Sequence, residues 1–417
     1  MTEELLQKGE LAKSASYKLM KTSTIVKNDA LSAIADALVE NADKILEANK
    51  LDLANAKENG VREAMMDRLK LTKERIEGMA EGVRQVIALN DPIGETVKMW
   101  KRPNGLNIGQ RRVPMGVIAI IYEARPNVTV DAAALCVKTS NAVILRGGKE
   151  AINSTKALMD VMQKAAYSVG LPEGSINLIE DTTRETSVEL MKMNGYIDML
   201  IPRGGAGLIK AVVQNATVPV VETAAGNCHV YVDGECDIDM ALKILINAKT
   251  SRPAVCNSAE TLLVDKAVAD KFLPLAFKEL QDRNVEIRGC EKCREICPNM
   301  NVKEASEQDW YEEYDDYIMA VKVVDGIDEA ISHINKYNTK HSEAIVTTNY
   351  NKAQKFLEEV DAAAVYVNAS TRFTDGFEFG FGAEIGISTQ KMHARGPMGL
   401  EQLTTIKYVV YGDGQVR

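Results

Sequence analysis

The 417-residue sequence predicts an α/β protein built on parallel sheets. Residues 1–92 read as helices, and a long alternation of short strands and helices follows them. The first strand, Val117–Tyr122, is an unbroken apolar run, which is typical of a parallel strand buried on both faces. Strands and helices alternating at this pitch favour a parallel sheet covered by helices.

Composition and charge bound the possible functions. A net charge of −9 argues against binding to a nucleic-acid backbone, and no apolar run reaches the length of a membrane span. The first residues lack the apolar core of an export signal, and the seven cysteines are an odd number. These features predict a cytoplasmic protein with no nucleic-acid or membrane partner. At 417 residues, two or three domains are expected.

The helical region ends before a basic stretch. In Leu71–Leu89 apolar side chains recur at helical spacing, and Asp91-Pro92 is the expected stop because proline disfavours helix in the residue before it. Residues Ile93–Arg112 are polar and basic. The tail Leu403–Tyr411 is β-branched and aromatic, which predicts a strand that pairs with this basic stretch.

Two sets of alternating elements follow the basic stretch. The first set has predicted strands at Val117–Tyr122, Ala142–Leu145, Ile176–Ile179, Met199–Ile201 and Val218–Val221. Its predicted helices are Asp131–Lys138, Thr155–Val169, Glu185–Met193 and Leu208–Asn215. The second set runs from about Val230 to Ala363, with helices at Asp237–Lys249, Ala267–Gln281, Ile327–Lys336 and Lys352–Val360 and strands at Thr261–Val264, Met319–Val324 and Ala344–Thr347.

Two strand-to-helix turns of the first set carry glycines beside an arginine. They are Arg146-Gly147-Gly148-Lys149 and Arg203-Gly204-Gly205-Ala206-Gly207. Glycines there let backbone N–H groups and a helix N-terminus approach an anionic ligand. A phosphorylated ligand is one interpretation, and glycine used only for a tight turn is the other.

Two polar residues follow predicted strands at their carboxyl ends, where ligand sites of open α/β sheets lie. Asn127 follows the first strand, and its amide suits an oxyanion, although asparagine at this spacing favours a helix N-cap. Glu222 ends the strand Val218–Val221 and is either a general base or a solvated loop carboxylate.

Cys256 is the candidate nucleophile. It lies in the polar loop Ser251–Ser258, between a helix and a strand, with Arg252 close by in sequence. A thiol beside a guanidinium is stabilised as the reactive thiolate. Cys290, Cys293 and Cys297 form a separate C-x2-C-x3-C set. Three thiols without a nearby histidine make an incomplete zinc or iron–sulfur set, and a surface excursion after a short strand Val285–Arg288 is favoured over a metal site.

With Asn127, Glu222 and Cys256 in this order on an α/β frame, the sequence resembles the aldehyde dehydrogenase superfamily. The resemblance is carried by IYEARPNVTVDA (121–132), VILRGGKEA (143–151), ETAAGNCHVYVD (222–233), SRPAVCNSAETLLVD (251–265), AAVYVNASTRFTDG (363–376) and EIGISTQKMHARGPMGLEQLTT (384–405). RPAVCN with STRFTDG and HARGPMGLE is similar to the branch that reduces glutamyl phosphate.

The resemblance implies an architecture of two Rossmann-like parallel-sheet domains and a β oligomerisation hairpin. The expected NADPH-binding domain is residues 1–232 with a return segment at about 366–400, and the expected catalytic domain is residues 233–365. The expected hairpin strands, about 96–114 and 401–417, imply a homo-oligomer. The implied reaction is NADPH-dependent reduction of L-glutamate 5-phosphate to L-glutamate 5-semialdehyde in proline biosynthesis, with glutamate 5-kinase as a functional partner.

The resemblance also implies roles for individual residues. Cys256 forms a thioester, Asn127 holds the oxyanion, and Glu222 matches a general base that a reductase does not need for hydrolysis. The cofactor residues are Arg146, Gly147, Gly148, Lys149, Gly204, Gly205 and Glu313. The two cations Arg146 and Lys149 predict NADPH over NADH, since each suits a 2′-phosphate. Glu312 is adjacent to Glu313 and is the alternative ribose ligand. The substrate residues are Arg125, Arg252, Ser370, Thr371 and Arg372, and no metal is implied.

Two alternatives stay open. One is another acyl-reducing or aldehyde-oxidising member of the same superfamily, such as a CoA-acylating dehydrogenase. The other is a scaffold without catalysis, which the presence of Asn127, Glu222 and Cys256 disfavours.

Overall fold

Within residues 1–61, 63–223 and 225–417, which the computed structural model describes, five helices precede the first strand. They are α1 (Glu3–Leu19), α2 (Thr24–Glu40), α3 (Ala42–Glu58), α4 (Glu63–Leu69) and α5 (Lys73–Ala88). α5 begins where the Thr72 hydroxyl accepts from the Arg75 amide and buries Ile76, Met79 and Val83 along one face. The helical stretch predicted ahead of Asp91-Pro92 is therefore confirmed.

The basic stretch and the tail form a three-stranded antiparallel sheet. Its strands are β1 (Thr96–Lys101), β2 (Asn107–Pro114) and the last strand β16 (Thr404–Tyr411), in the order β1-β2-β16. β2 pairs with β16 from Pro114 opposite Thr404 to Asn107 opposite Tyr411. The predicted pairing of the tail with the basic stretch is confirmed.

A four-stranded parallel sheet follows in the order β5-β4-β3-β6. Its strands are β3 (Val117–Tyr122), β4 (Ala142–Arg146), β5 (Ile176–Leu178) and β6 (Met199–Arg203). The helices between and after them are α6 (Pro126–Lys138), α7 (Ile152–Ser168), α8 (Arg184–Leu190) and α9 (Ala206–Asn215). Every residue of β3 is buried, as the apolar run predicts.

One predicted strand of this region is wrong. Val218–Val221 makes only a single bridge, between Val220 and Leu200. Pro219 lies within the segment and has no N–H to donate to a ladder, so the pairing does not extend.

The second parallel sheet has seven strands in the order β10-β9-β11-β8-β7-β12-β13. They are β7 (Cys228–Val232), β8 (Ala259–Asp265), β9 (Glu286–Gly289), β10 (Val302–Glu304), β11 (Ile318–Val324), β12 (Ser342–Val346) and β13 (Ala364–Val367). The helices of this region are α10 (Ile238–Thr250), α11 (Lys266–Gln281), α12 (Glu291–Ile296), α13 (Ile327–Tyr337) and α14 (Tyr350–Glu359). A short antiparallel pair, β14 (Ile387–Ser388) and β15 (Gly396–Pro397), comes later in the chain.

The segment around the three clustered cysteines is part of this sheet, so its interpretation as a surface excursion is wrong. β9 pairs with β11, and β10 pairs in parallel with β9. Cys293 and Cys297 pack into the hydrophobic core beside Ile287. The single turn of α12 and the three residues of β10 are too short for a periodic signal in the sequence.

The chain divides into two compact units. The first is Met1–Thr223, Gly380–Gly386 and Met398–Arg417, and the second is Ala224–Phe379 and Ile387–Pro397, of which Ala224 lies outside the described residues. The strand β7 lies in the second unit, where it pairs with β8 and β12. Across the described residues, every helix falls short of the length and apolar character that a membrane span requires.

Candidate active site

The loop that carries Cys256 is held in shape by backbone and side-chain hydrogen bonds within the second unit. The Ser258 amide donates to the Val255 carbonyl at 2.9 Å, and the Cys228 thiol donates to the Cys256 carbonyl at 3.2 Å. Cys228 is fully buried, whereas Cys256 is half-buried. The candidate nucleophile is therefore reachable, while the thiol beneath it is structural.

Gly226 passes so close to this loop that no other residue fits. A Cβ atom added there would lie 1.4 Å from the Cys256 carbonyl oxygen. The Gly226 amide donates to Oε1 of Glu313 at 2.6 Å. Gly226 thus links the predicted cofactor residue Glu313 to the backbone that carries the thiol.

Arg252 and Arg372 bring positive charge to Cys256. Burial, together with repulsion from Arg252, lowers the pKa of Arg372, and attraction to Cys256 acts in the opposite direction. Nε of Arg372 donates to Oγ of Ser251 at 3.1 Å, which fixes the guanidinium beside the start of the loop. Arg252 is exposed, and Arg372 is half-buried. Two guanidinium groups near one thiol favour its thiolate form and an anionic substrate.

The segment after β13 is tied to the same loop. The Thr371 hydroxyl donates to the Asn257 carbonyl at 2.7 Å, and Nδ2 of Asn257 donates to the carbonyls of Arg372 and Thr374 at 3.2 and 3.0 Å. Ser370 caps the short 3₁₀ helix 371–373 by accepting from the Arg372 amide. Ser370, Thr371 and Arg372 therefore lie together with Cys256, with Thr371 buried and engaged with the backbone.

Glu313, rather than Glu312, faces the Cys256 loop. Glu313 accepts from Gly226, whereas Glu312 is exposed and accepts from Gln308 at 3.1 Å. Burial raises the pKa of Glu313 to about 7, with the Gly226 amide opposing the rise and the nearby acidic residues adding to it. This carboxyl therefore changes charge near neutral pH.

In the first unit, the chain after β3 carries Arg125 and Asn127. α6 begins at Pro126 with Arg125 at the N-cap position and without a side-chain cap bond. The N-cap interpretation of Asn127 is wrong, because Pro126 takes the first helical position that proline favours and makes Asn127 the second helical residue.

The Asn127 side chain instead meets a carboxyl one turn along α6. Its Nδ2 donates to Oδ2 of Asp131 at 3.2 Å. Burial raises the pKa of Asp131 to about 6, against the opposing effects of this hydrogen bond and of the positive charge on Arg203. Asp131 therefore sets the direction of the Asn127 amide.

The turn after β4 combines two cations with two packed glycines. Arg146 is half-buried and donates to the carbonyls of Thr182 and Thr183, and Lys149 is exposed. A Cβ on Gly147 would lie 3.3 Å from the Tyr122 ring, and one on Gly148 would lie 3.3 Å from the Ala124 amide. Gly147 and Gly148 therefore allow the turn after β4 to pack closely against the end of β3 and the turn that follows it. Arg146 and Lys149 are the groups of this turn that suit an anionic ligand.

The turn after β6 already holds an anionic group. The Gly205 amide donates to Oε2 of Glu123 at 3.1 Å, and a Cβ on Gly204 would lie 2.6 Å from the Glu123 carboxyl carbon. The turn therefore has an amide directed at a negatively charged oxygen, as the glycines predict.

Glu222 is half-buried and lies near the end of Met1–Thr223, the longest segment of the first unit. It follows the bridge between Val220 and Leu200. Asn127, Glu222 and Cys256 thus fall in two units, the first two in one and the thiol in the other. Ala224, within the quoted segment 222–233, lies outside the described residues.

Sequence reasoning missed Gly226, Cys228, Asn257, Asp131 and Glu123, which support the site residues rather than replace them. The sequence held a partial signal for Gly226, a glycine two positions before the first residue of β7. Within residues 1–61, 63–223 and 225–417, no group of three or more His, Cys, Asp or Glu side chains is placed to hold a metal ion.

Comparison with known proteins places this geometry in a family. The pattern of the aldehyde dehydrogenase family matches residues 3–314 and 302–409. The chain belongs to the aldehyde dehydrogenase family, whose members use a nicotinamide cofactor and act on small molecules.

Relatives with about 60% identity over the full length include several gamma-glutamyl phosphate reductases. The gamma-glutamyl phosphate reductase of Clostridium perfringens (strain SM101 / Type A) is 63% identical over 417 residues, which is 100% of both chains. That of Caldicellulosiruptor bescii is 63% identical over 416 residues, 99% of each chain. The crystal structure of gamma-glutamyl phosphate reductase from Thermotoga maritima matches with a TM-score of 0.97 and 52% identity over 100% of both chains.

Proposed function

We propose that this protein reduces L-glutamate 5-phosphate to L-glutamate 5-semialdehyde and releases phosphate, as a step of proline biosynthesis. One observation carries the proposal: a half-buried thiol, Cys256, lies beside two arginines in a chain 63% identical over its full length to a gamma-glutamyl phosphate reductase. The relatives' name states the substrate, and the thiol with its guanidinium groups is the chemistry that an acyl phosphate requires.

Cys256 is proposed as the nucleophile. Its thiolate attacks the γ-carbonyl carbon of the acyl phosphate, a C–S bond forms, and the C–O bond to phosphate breaks, which leaves a thioester. Phosphate is a good leaving group, so no strong general acid is needed. NADPH, when bound, supplies the hydride that reduces this thioester to the level of the aldehyde. The released thiolate is stabilised by Arg252 and Arg372, which favour it before the reaction as well.

Asn127 and the Cys256 amide are proposed to donate to the oxyanion. The bond from Asn127 to Asp131 supports this role because it fixes the side chain on the second residue of α6. Glu222 is proposed to handle the proton of the thiol or to position neighbouring groups, since activating water for thioester hydrolysis would waste the intermediate.

The residues of the first unit fit a phosphorylated dinucleotide. The amide of Gly205 already donates to a carboxylate, and Arg146 and Lys149 add two positive charges at a neighbouring turn. We propose that Gly147, Gly148 and Gly204 let the chain turn tightly here, and that Lys149 with Arg146 selects NADPH through the 2′-phosphate. Glu313 is proposed to bind the nicotinamide ribose once it leaves the Gly226 amide.

The substrate-binding set is proposed as Arg125, Arg252, Ser370, Thr371 and Arg372. An α-carboxylate and a phosphate need cations, and Arg252 and Arg372 flank the thiol. Ser370 and Thr371 support this set by shaping the backbone around Arg372.

We further propose a cytoplasmic homo-oligomer that receives its labile substrate from glutamate 5-kinase. The three-stranded sheet supports oligomerisation, because Tyr408 and Val410, which lie on one face of it, are more than half exposed, at 60% and 56%. Large apolar side chains on a free sheet surface are typical of a contact between subunits.

The proposed reaction is tested most sharply in reverse. Purified protein is mixed with L-glutamate 5-semialdehyde, NADP⁺ and inorganic phosphate, and NADPH formation is followed by absorbance. Turnover should need phosphate and should stop when coenzyme A replaces it. Activity that requires coenzyme A and ignores phosphate would instead assign the chain to a CoA-acylating dehydrogenase. Comparing NADP⁺ with NAD⁺ in the same assay tests the cofactor choice.

A further inference from the structure

We propose that Cys290 and Cys293 form a redox-active dithiol, which a small-molecule disulfide oxidises to an intramolecular disulfide bond. The proposed reductase chemistry uses neither residue, so the inference stands apart from it. The pair lies at the junction between β9 and α12.

The local fold is a strand–helix–strand unit. β9 ends at Gly289, Cys290 is the N-cap of α12, and Cys293 is the third residue of that helix. β10 then returns in parallel beside β9. A C-x-x-C segment where a strand passes into a helix of a βαβ unit is typical of dithiol redox centres.

The two sulfur atoms are already neighbours. Sγ of Cys290 lies 3.6 Å from Sγ of Cys293, within hydrogen-bond distance for two sulfur atoms, and the Cys293 thiol donates to the Val321 carbonyl at 3.5 Å. A disulfide bond is about 2 Å long, so rotation of the two side chains closes the remaining gap without moving strands. The thiols therefore need no partner from elsewhere in the chain.

Cys290 is the thiol whose pKa is lowered. The Val323 amide donates to Sγ of Cys290 at 3.4 Å, and Sγ of Cys293 lies 3.6 Å from the same atom. The hydrogen bond between the two sulfur atoms is the main reason that the pKa of Cys290 falls to about 6, with burial opposing it. The same bond, with burial, raises the pKa of Cys293. One thiolate beside one thiol is the state in which a dithiol attacks a disulfide.

Exposure sets the order of steps. Cys290 is half-buried, whereas Cys293 is fully buried, so a small disulfide meets Cys290 first. The Cys290 thiolate attacks one sulfur of that disulfide and expels the other half as a thiolate. Cys293 then loses its proton, attacks Sγ of Cys290 and expels the second half. Two cysteine thiols are oxidised, and one small disulfide is reduced to two thiols.

Two other thiols are excluded as partners by position. Cys297 lies a turn further on, where it is buried and where burial raises its pKa. Cys256 lies before the amino end of β8. Cys290 accepts a hydrogen bond from Val323, a residue of β11 that pairs with Val264 near the other end of β8. Val264 lies five strand residues beyond Ala259, about 16 Å along the strand, which is far beyond the span of a disulfide.

The test uses the full-length reduced protein and glutathione disulfide. After incubation, free thiols are alkylated and the protein is cleaved with trypsin, which cuts after Arg288, Lys292, Arg294 and Lys303. A Cys290–Cys293 bond should hold peptide 289–292 to peptide 293–294, with the loss of two hydrogen atoms. Cys297 should be recovered alkylated in peptide 295–303.

Matched variants make the outcome decisive. Cys293→Ser should accumulate glutathione on Cys290, because the resolving thiol is gone, and Cys290→Ser should give neither product. Cys297→Ser is the control and should form the bridge as the unmodified chain does. Recovery of Cys290 and Cys293 fully alkylated, or a link from peptide 295–303 to either neighbour, would overturn the proposal. The readout does not depend on reductase activity, so the two proposals fail separately.

Discussion

The two parallel sheets carry their candidate site residues at opposite ends of their strands. In the first unit, Asn127, Arg146 and Gly205 follow the carboxyl ends of β3, β4 and β6. In the second unit, Cys256 and Glu313 precede the amino ends of β8 and β11. Ligands of open α/β sheets usually lie at the carboxyl ends, so the second unit departs from the rule that guided the prediction.

The two edges of the sheets differ in the groups that can supply positive charge to a ligand. At a carboxyl edge, helix N-termini direct free N–H groups at a ligand, as the Gly205 amide does toward Glu123. At an amino edge, helix C-termini direct carbonyls instead, and α10 ends at Thr250 just before the Cys256 loop. Under the proposed function, Arg252 and Arg372 supply the positive charge that an anionic substrate needs at this edge. The first unit thus offers a backbone amide together with the cations Arg146 and Lys149, whereas the positive charge near Cys256 comes from side chains of the second unit.

Removal of the thiol tests this division most strongly. Cys256→Ala should lower kcat by at least about a thousandfold, because no other group can form the thioester. NADPH binding, measured by fluorescence titration, should be unchanged. Cys236→Ala, which removes a half-buried thiol from the same unit, is the control and should keep its activity. A Cys256→Ala variant with more than a trace of turnover would show that the second unit does not supply the nucleophile.

Loss of one guanidinium should have the next largest effect. Arg372→Gln should raise KM for the acyl phosphate about a hundredfold, since charged hydrogen bonds contribute about 1.5–3 kcal/mol each. KM for NADPH should stay the same. Arg283→Gln, two residues after the end of α11, where the arginine pairs with Glu279, is the matched control. An unchanged KM for the substrate would show that the amino edge does not depend on side-chain charge.

A substitution in the first unit should change the preference for NADPH over NADH without affecting the thiol in the second unit. Lys149→Ala should lower the ratio of kcat/KM for NADPH to that for NADH about tenfold, because one contact to the 2′-phosphate is lost. The rate of Cys256 alkylation should not change. Lys156→Ala on α7, which breaks only a surface pair with Glu180, is expected to leave the ratio as it is.

The smallest effect is expected at Asp131. Its pKa is raised from 3.8 to about 6, so the folded chain binds this proton more tightly than the unfolded chain. The stability from this group is present below about pH 4 and is lost as the pH rises toward 6. The free energy of unfolding should therefore fall between pH 4 and pH 7, on the order of 1 kcal/mol after solvent screening, and Asp131→Asn should abolish this fall. Urea unfolding at the two pH values measures the change. Asp29→Asn, an exposed carboxyl of the same unit, is the control, and identical pH profiles for both variants would contradict the assignment.

Local patterns predicted most of the frame. The apolar run of β3, the helical stripe of α5 and the strand character of the tail each reflect short-range periodicity, and each is confirmed. The sequence failed where one proline changed the outcome, at Val218–Val221 and at the start of α6. It also gave no sign of the contact between Gly226 and the Cys256 carbonyl, because thirty positions separate them and only the paired strands β7 and β8 bring them together.

The pairing of β2 with β16 has a consequence for how the protein is made. Asn107 meets Tyr411 and Pro114 meets Thr404, so β2 leaves the ribosome long before its second neighbour exists. During synthesis of nearly three hundred residues, one edge of β2 offers open N–H and C=O groups to any extended chain nearby. The basic side chains Arg111 and Arg112 on that strand protect it, since like charges discourage two nascent copies from pairing edge to edge. Because β16 is the last strand to be synthesised, β2 must avoid pairing with other chains until β16 is available.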